Sequence, residues 1–352
     1  MRLPSGYQLV ITREDTVIGG ARRTDIGNDD FVPLPNPKES SMKSKAMLIV
    51  ATLAASLSVA SAGATAADAS GGPCGTLALS STKYTHVVWV WMENHSYGEI
   101  IGSPEAPYIN SLAGECGLAT NYHNISHPSL PNYVAGTSAL PLAELKPFTS
   151  DCNPSHKCST GAQSIFGQVP SWKAYEESML SNCERRNSGE YAVRHNPPPY
   201  YTKLKSECET KDVPYTQLAG DLAGDTLPAF SFVTPNVIDD MHDGTIAQGD
   251  EWLKANLPAI FGSSQYQSGT VAVFLTWDEG ENGTSNECAT NTTDVGCHVV
   301  TIVLSPSTAA GTQSSALFNH YSLLGSTEQL LGVSLLDEAA GAGSMLSAFN
   351  LQ

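Results

Sequence analysis

HVVWVWMENHS, residues 86–96, runs seven β-prone residues straight into an acid, an amide and a histidine. A strand that is apolar almost throughout is buried on both faces, as in a parallel sheet covered by helices. Downstream, Pro107 opens a helical pattern at Tyr108–Glu115, Gly117–His123 is strand-like, and Pro131 suits the first turn of a short helix over Pro131–Ser138. Phe230–Thr234, Thr270–Trp277 and His298–Leu304 are further strand candidates. Ser171–Leu180, Ile246–Phe261 and His320–Leu331 read as helices. Alternating strands and helices predict an α/β fold with a mostly parallel central sheet flanked by helices.

In such sheets ligands bind beyond the carboxyl ends of the strands. The first strand ends in Glu93-Asn94, Phe230–Thr234 leads to Asp239-Asp240-Met-His242-Asp243, and Thr270–Trp277 runs directly into Asp278-Glu279. Three strand ends carrying hard oxygen donors and a histidine suit a divalent cation: Mg²⁺, Mn²⁺, Ca²⁺ or Zn²⁺. Ser129 precedes the Pro131 helix. There it is either a simple N-cap or a nucleophile whose phosphate would sit on the helix N-terminus. The chain has no G-x-S-x-G elbow, Walker loop or G-x-G-x-x-G, which argues against a hydrolase triad or a nucleotide fold.

The 352 residues are 41 % hydrophobic and 15 % charged, an ordinary globular balance. Ala46–Val59 is apolar, follows Lys43 and Lys45, and leads into A-x-A sequences, the pattern of a secretory leader and too short for a membrane span. The expected organisation is a disordered extension or mis-called start at 1–41, a signal peptide at 42–62, and one domain at 63–352 with a cysteine-rich excursion at about 140–225. The mature chain is expected to begin at Gly63 or Ala67. Without residues 1–62 it keeps eleven basic and twenty-nine acidic residues, a net −18, which disfavours nucleic acid and anionic membrane as partners. Eight cysteines, all beyond the leader, predict a disulfide framework. Sequential pairing is the expectation, since Cys152/Cys158 and Cys288/Cys297 sit in short polar loops.

The string MENHSYGEIIGSPEAPYINSLAGECGLATNYHNISHPSLPNYVAGTSA, residues 92–139, resembles the signature of the phosphoesterase family of the alkaline phosphatase superfamily. SFVTPNVIDDMHDGTIAQGDEWL, VFLTWDEGE and FNHYSLLGSTEQLLG extend the likeness to about residue 333. The resemblance is nearest to short secreted acid phosphatases, those acting on phosphatidylinositol 3-phosphate among them. It implies an alkaline-phosphatase-like sandwich. By the same resemblance Glu93, Asn94, Asp278 and Glu279 hold the metal, with Asp240, Asp243 and His320 as further metal or phosphate ligands, and Ser129 becomes phosphorylated. His242 and His195 are the candidate acids for the leaving alcohol; Arg194-His195-Asn196-Pro197 resembles the family's K-H-N-P string with Arg for Lys. His195 as a hydrogen-bonded loop histidine stays open beside this, and His95, His123, His127 and His298 are read as structural or supporting.

The implied function is a secreted, metal-dependent acid phosphatase acting on phosphorylated small molecules or lipid headgroups through phosphoserine, as a monomer without membrane insertion. A phospholipase C-type phosphodiesterase shares the motifs, but the long C-terminal extension of those enzymes has no counterpart here. An inactive phosphate-binding protein would be expected to have lost Ser129 or one of the acids.

Overall fold

The computed structural model describes residues 72–283 and 285–352. The extension at 1–41, the leader at 42–62 and the cleavage points at Gly63 and Ala67 lie outside the described residues. In chain order the strands are β1 His86–Met92, β2 Gly117–Ala119, β3 Tyr122–His123, β4 Trp172–Glu176, β5 Asp212–Pro214, β6 Phe230–Thr234, β7 Val271–Trp277, β8 Thr301–Leu304, β9 Thr312–Ser314 and β10 Phe318–Asn319. Eight of them form one sheet in the order β5-β4-β6-β1-β7-β8-β2-β9, while β10 pairs with β3. The pairings leave β8 as the strand running against the other seven. The mostly parallel α/β sheet expected from the alternation is therefore present.

β1 is central because nearly every side chain on it can be buried: Val87 to Met92 are at most 1 % exposed. Trp91 packs against Tyr133 and Phe232, with ring centroids 4.9 and 5.5 Å away. The helix Ser129–Ser138 lies directly on this face, and a Cβ at Gly136 would stand 2.6 Å from the Trp91 ring. That close approach seats Ser129 near the end of β1. The helix Ile246–Phe261 starts at a Thr245/Gln248 capping box, and His320–Leu331 is capped by Asn319 and stopped by left-handed Gly332.

Two local readings change. Ser171–Leu180, read as a helix, contains strand β4, which pairs in parallel with both β5 and β6. Trp172, Ala174 and Tyr175 are buried there, and a slot between two strands outweighs local periodicity. Gly117–His123 is not one strand: β2 joins the large sheet and β3 pairs with β10. Within residues 140–225, β4 and β5 thus extend the sheet itself.

Disulfides join Cys74–Cys116, Cys152–Cys158, Cys183–Cys208 and Cys288–Cys297, the sequential pairing. Beside the third, Asp212 is fully buried and both its oxygens accept from Asn196 Nδ2, at 3.0 and 2.9 Å. Burial pushes the Asp212 carboxyl up to about 8. Its unfolded value is about 4, so between those values the folded state holds the extra proton. Stability from this group is present below about pH 4 and is lost as pH rises through about 8. Asp212→Asn, which keeps one acceptor for Asn196, should flatten the decline in urea midpoint between pH 5 and pH 8; an unchanged slope would remove Asp212 as its source.

Candidate active site

Register brings the acids together. Met92 pairs with Trp277, so Glu93 and Asp278 leave adjacent strands side by side. Asp278 N–H donates to the Met92 carbonyl at 3.0 Å, and Asn94 N–H donates to Asp278 Oδ1 at 3.0 Å. Asn94 makes this turn at φ 53°, a left-handed conformation that asparagine tolerates. Glu93 N–H donates to the Asp240 carbonyl at 2.9 Å, which ties in the loop after β6.

Ser129 is the first residue of its helix and is 2 % exposed. Its Oγ donates to Glu93 Oε2 at 3.0 Å and stands 3.5 Å from Glu279 Oε1. One turn along, Tyr133 donates its hydroxyl to Glu93 Oε1. The helix N-terminus is less open to an anion than the sequence suggests: Asp151 Oδ1 accepts from Leu130 N–H at 3.0 Å, and Pro131 has no N–H. Ser129 N–H is left as the amide of that first turn able to face a phosphate.

Glu93, Asp240 and Asp278 are fully buried and Glu279 is 5 % exposed. Burial, then the charges of Asp278 and Asp240, hold Glu93 well above the carboxylate range. Burial and Glu279 raise Asp278 to about 7; burial and Asp151 raise Glu279 to about 8. Asp278 Oδ2 is buried without a hydrogen-bond partner. Acids that raise one another in a desolvated site suit a divalent cation, whose positive charge would offset their repulsion.

The histidines divide into three situations. Buried His195 lies between two acids, Nδ1 at 3.0 Å from Asp240 Oδ2 and Nε2 at 3.2 Å from Glu93 Oε1, and stacks on Tyr133. Burial, with Arg194 and His242, pushes its pKa well down. His195, expected as a candidate acid for the leaving alcohol, is thus held between Glu93 and Asp240, inside the carboxylate cluster. Half-buried His242 has Nδ1 2.7 Å from Asp243 Oδ1 and accepts at Nε2 from Arg194 at 3.1 Å. Glu93, His195 and His242 each place a ligand atom within 4.8 Å of the others. His320 lies behind the acids, with Nδ1 3.0 Å from the Tyr122 hydroxyl and Nε2 2.7 Å from the Asp278 carbonyl.

Glu93, Asp278, Glu279, Asp240, Ser129 and His195 are thus brought together, and Asn94 joins through its backbone. Asp243 is set apart beside His242. His320, expected as a ligand, has both nitrogens engaged by protein groups and holds the Asp278 main chain. Tyr133 was missed, although its i+4 spacing from Ser129 places it on the same helix face. Asp151 was missed because nothing near it in sequence points to Leu130. His127, read as structural, lies with Nδ1 2.6 Å from Glu279 Oε2.

The fold and site define the protein's class as an α/β protein with a buried serine set among carboxylates at the carboxyl edge of a mostly parallel sheet. The model of the phosphoesterase family matches residues 103–334, and the chain belongs to that family. The match takes in Ser129, His195, Asp240, His242, Asp278 and Glu279 and begins after Glu93 and Asn94. A phosphatidylinositol-3-phosphatase of Mycobacterium tuberculosis is 30 % identical over 82 % of this chain and 89 % of its own length. An acid phosphatase of Aspergillus fumigatus is 25 % identical over 72 % of this chain, which spans 56 % of the fungal protein. A solved structure from work on glycosaminoglycan metabolism by Bacteroides thetaiotaomicron superposes with TM-score 0.51 at 11 % identity, covering 77 % of this chain and 82 % of that one; it bears on the fold alone.

Proposed function

We propose that this chain is a secreted phosphomonoesterase that passes through a phosphoserine at Ser129. The observation that carries the reading is Ser129 Oγ, buried and hydrogen-bonded at 3.0 Å to Glu93 with Glu279 close by. Glu93, Asn94, Asp278 and Glu279 would hold a divalent cation, which when bound supplies the positive charge that favours a serine alkoxide and stabilises phosphoryl oxygens.

With Glu93 ionised, its Oε2 is in place to accept the Ser129 hydroxyl proton as Oγ attacks phosphorus and the bond to the alcohol oxygen breaks. Arg194, now donating to His242, turns to the phosphate oxygens and neutralises charge there. That releases His242 Nε2 to hold the proton needed by the departing alcohol, with Asp243 orienting the ring through Nδ1. Water then attacks the phosphoserine and gives its proton to His242, while Glu93 returns its proton to Ser129 Oγ as the Oγ–P bond breaks, freeing phosphate and restoring both groups.

Four disulfides support an exported protein. Among the described residues no helix is long and apolar enough to cross a membrane. The mycobacterial relative supports phosphoinositides as substrate candidates. Rates on p-nitrophenyl phosphate and bis-p-nitrophenyl phosphate, with and without chelator, test the reading. The monoester should be faster by at least about tenfold, about 1.4 kcal/mol of barrier, and chelator should abolish both rates. A faster diester would favour a phospholipase C-type enzyme, and full activity after metal removal would overturn the cation.

A further inference from the structure

His95, Glu99 and Glu281 lie outside the machinery described so far. Each offers one ligand atom, and those atoms all stand within 4.8 Å of one another. The same two strand ends supply them: His95 comes two residues after Glu93 at the end of β1, and Glu281 two residues after Glu279 at the end of β7. Loop packing holds the three in register. Ser96 Oγ donates to the Glu281 carbonyl at 3.4 Å, and a Cβ on Gly280 would stand 2.5 Å from Ser96 Oγ, so only glycine permits this approach. Glu99 is fixed by accepting from Ser96 N–H at 2.7 Å through Oε2.

Two independent features point to a ligand. His95 Nδ1 is buried with no hydrogen-bond partner, and at 3.6 Å from Glu99 Oε2 it is too far to bond it. An imidazole nitrogen buried without a partner beside two carboxylates is a set of donor atoms that a cation would complete. Beside the cluster lies a cavity of about 370 Å³, lined by Ser96, Tyr97, Glu99, Glu281, Asn282 and His298 among others, with room for water. Tyr97 stacks on His298 at 4.3 Å and forms one wall of it.

We propose that His95, Glu99 and Glu281 form a second divalent cation site, distinct from the carboxylates around Ser129, that braces the loop after β1 against the loop after β7. One imidazole nitrogen and two carboxylate oxygens are a donor set for a borderline cation such as Zn²⁺, with the fourth position open to water in the cavity. An ion there ties together the two loops that carry Glu93-Asn94 and Asp278-Glu279. Its role is to hold catalytic geometry, and it touches no substrate.

The test is equilibrium dialysis of chelator-stripped full-length protein against Zn²⁺, read by metal analysis, on wild type, His95→Ala, Glu281→Gln and Asp278→Asn. Wild type should bind one equivalent more than His95→Ala and one more than Glu281→Gln, and Asp278→Asn should keep that equivalent. Zn²⁺ should also raise the melting temperature of Asp278→Asn but not of Asp278→Asn/His95→Ala, as linkage requires of an ion bound only to the folded state. Glu281 is exposed, so Glu281→Gln carries the test if His95→Ala fails to fold. Equal stoichiometry in wild type and Glu281→Gln overturns the site. Loss of the same equivalent by Asp278→Asn and His95→Ala would place both residues on one ion and overturn its separateness. Failure of the Ser129 reading would instead appear as turnover surviving in Ser129→Ala, with these stoichiometries unchanged.

Discussion

Ser129→Ala should fold normally and still bind phosphate, yet lose at least about a thousandfold in turnover, on the order of 4 kcal/mol of barrier. The hydroxyl is the group that must form and break a bond to phosphorus, whereas a residue that only binds phosphate passes through no covalent state. Position supports this. Oγ is buried, donates to Glu93 at 3.0 Å and begins a helix pressed onto β1 by Gly136. Alanine fills the same space without its donor, so the packing against Trp91 survives. Acid quenching of wild type with a slow substrate should leave phosphate on the peptide containing Ser129. Phosphate trapped on a histidine, or a variant retaining more than about a tenth of the rate, some 1.4 kcal/mol, would remove Ser129 from the role.

The second large effect is expected from Asp278→Asn. Its Oδ1 accepts from Asn94 N–H, a bond the amide oxygen can keep, so the turn at the end of β1 should persist. What disappears is one charge from a desolvated set of four. Turnover should fall to background, and cation affinity at the Ser129 carboxylates should drop with it. In the metal-free wild type, Asp278 at about 7 and Glu279 at about 8 hold protons near neutrality. Binding a cation must expel them, so wild-type affinity should weaken steadily as pH falls from about 8 toward 6. Calorimetry in two buffers of different ionisation enthalpy measures the released protons. Normal turnover with normal metal content in Asp278→Asn would make the acid pair a bystander.

Much of the frame was legible because it rests on short-range pattern. An apolar run flanked by Gly, Pro and Asx signals a buried strand wherever it sits, and β1, β6 and the helices Ile246–Phe261 and His320–Leu331 fall where periodicity and capping place them. The segment Trp172–Glu176 was not legible, because its two neighbours in the sheet lie some 40 and 60 residues further along the chain. Only their pairing selects strand over helix.

The same distinction divides the site. Sequence alone determined that acids, a serine and histidines stand at strand ends and at a helix start, since these are local properties of residue type and spacing. Tertiary structure decided which of them meet: the hydrogen bond from Asn94 to Asp278 spans 184 residues, and the His320 contact with the Asp278 carbonyl spans 42. It also decided their chemical states. Burial pushes the His195 pKa down and raises Glu93, Asp278 and Glu279, and the fold sets the two His320 nitrogens against the Tyr122 hydroxyl and the Asp278 carbonyl. Desolvation and charge repulsion depend on distances and on excluded water. Those exist only once the chain is packed, and no spacing along it encodes them.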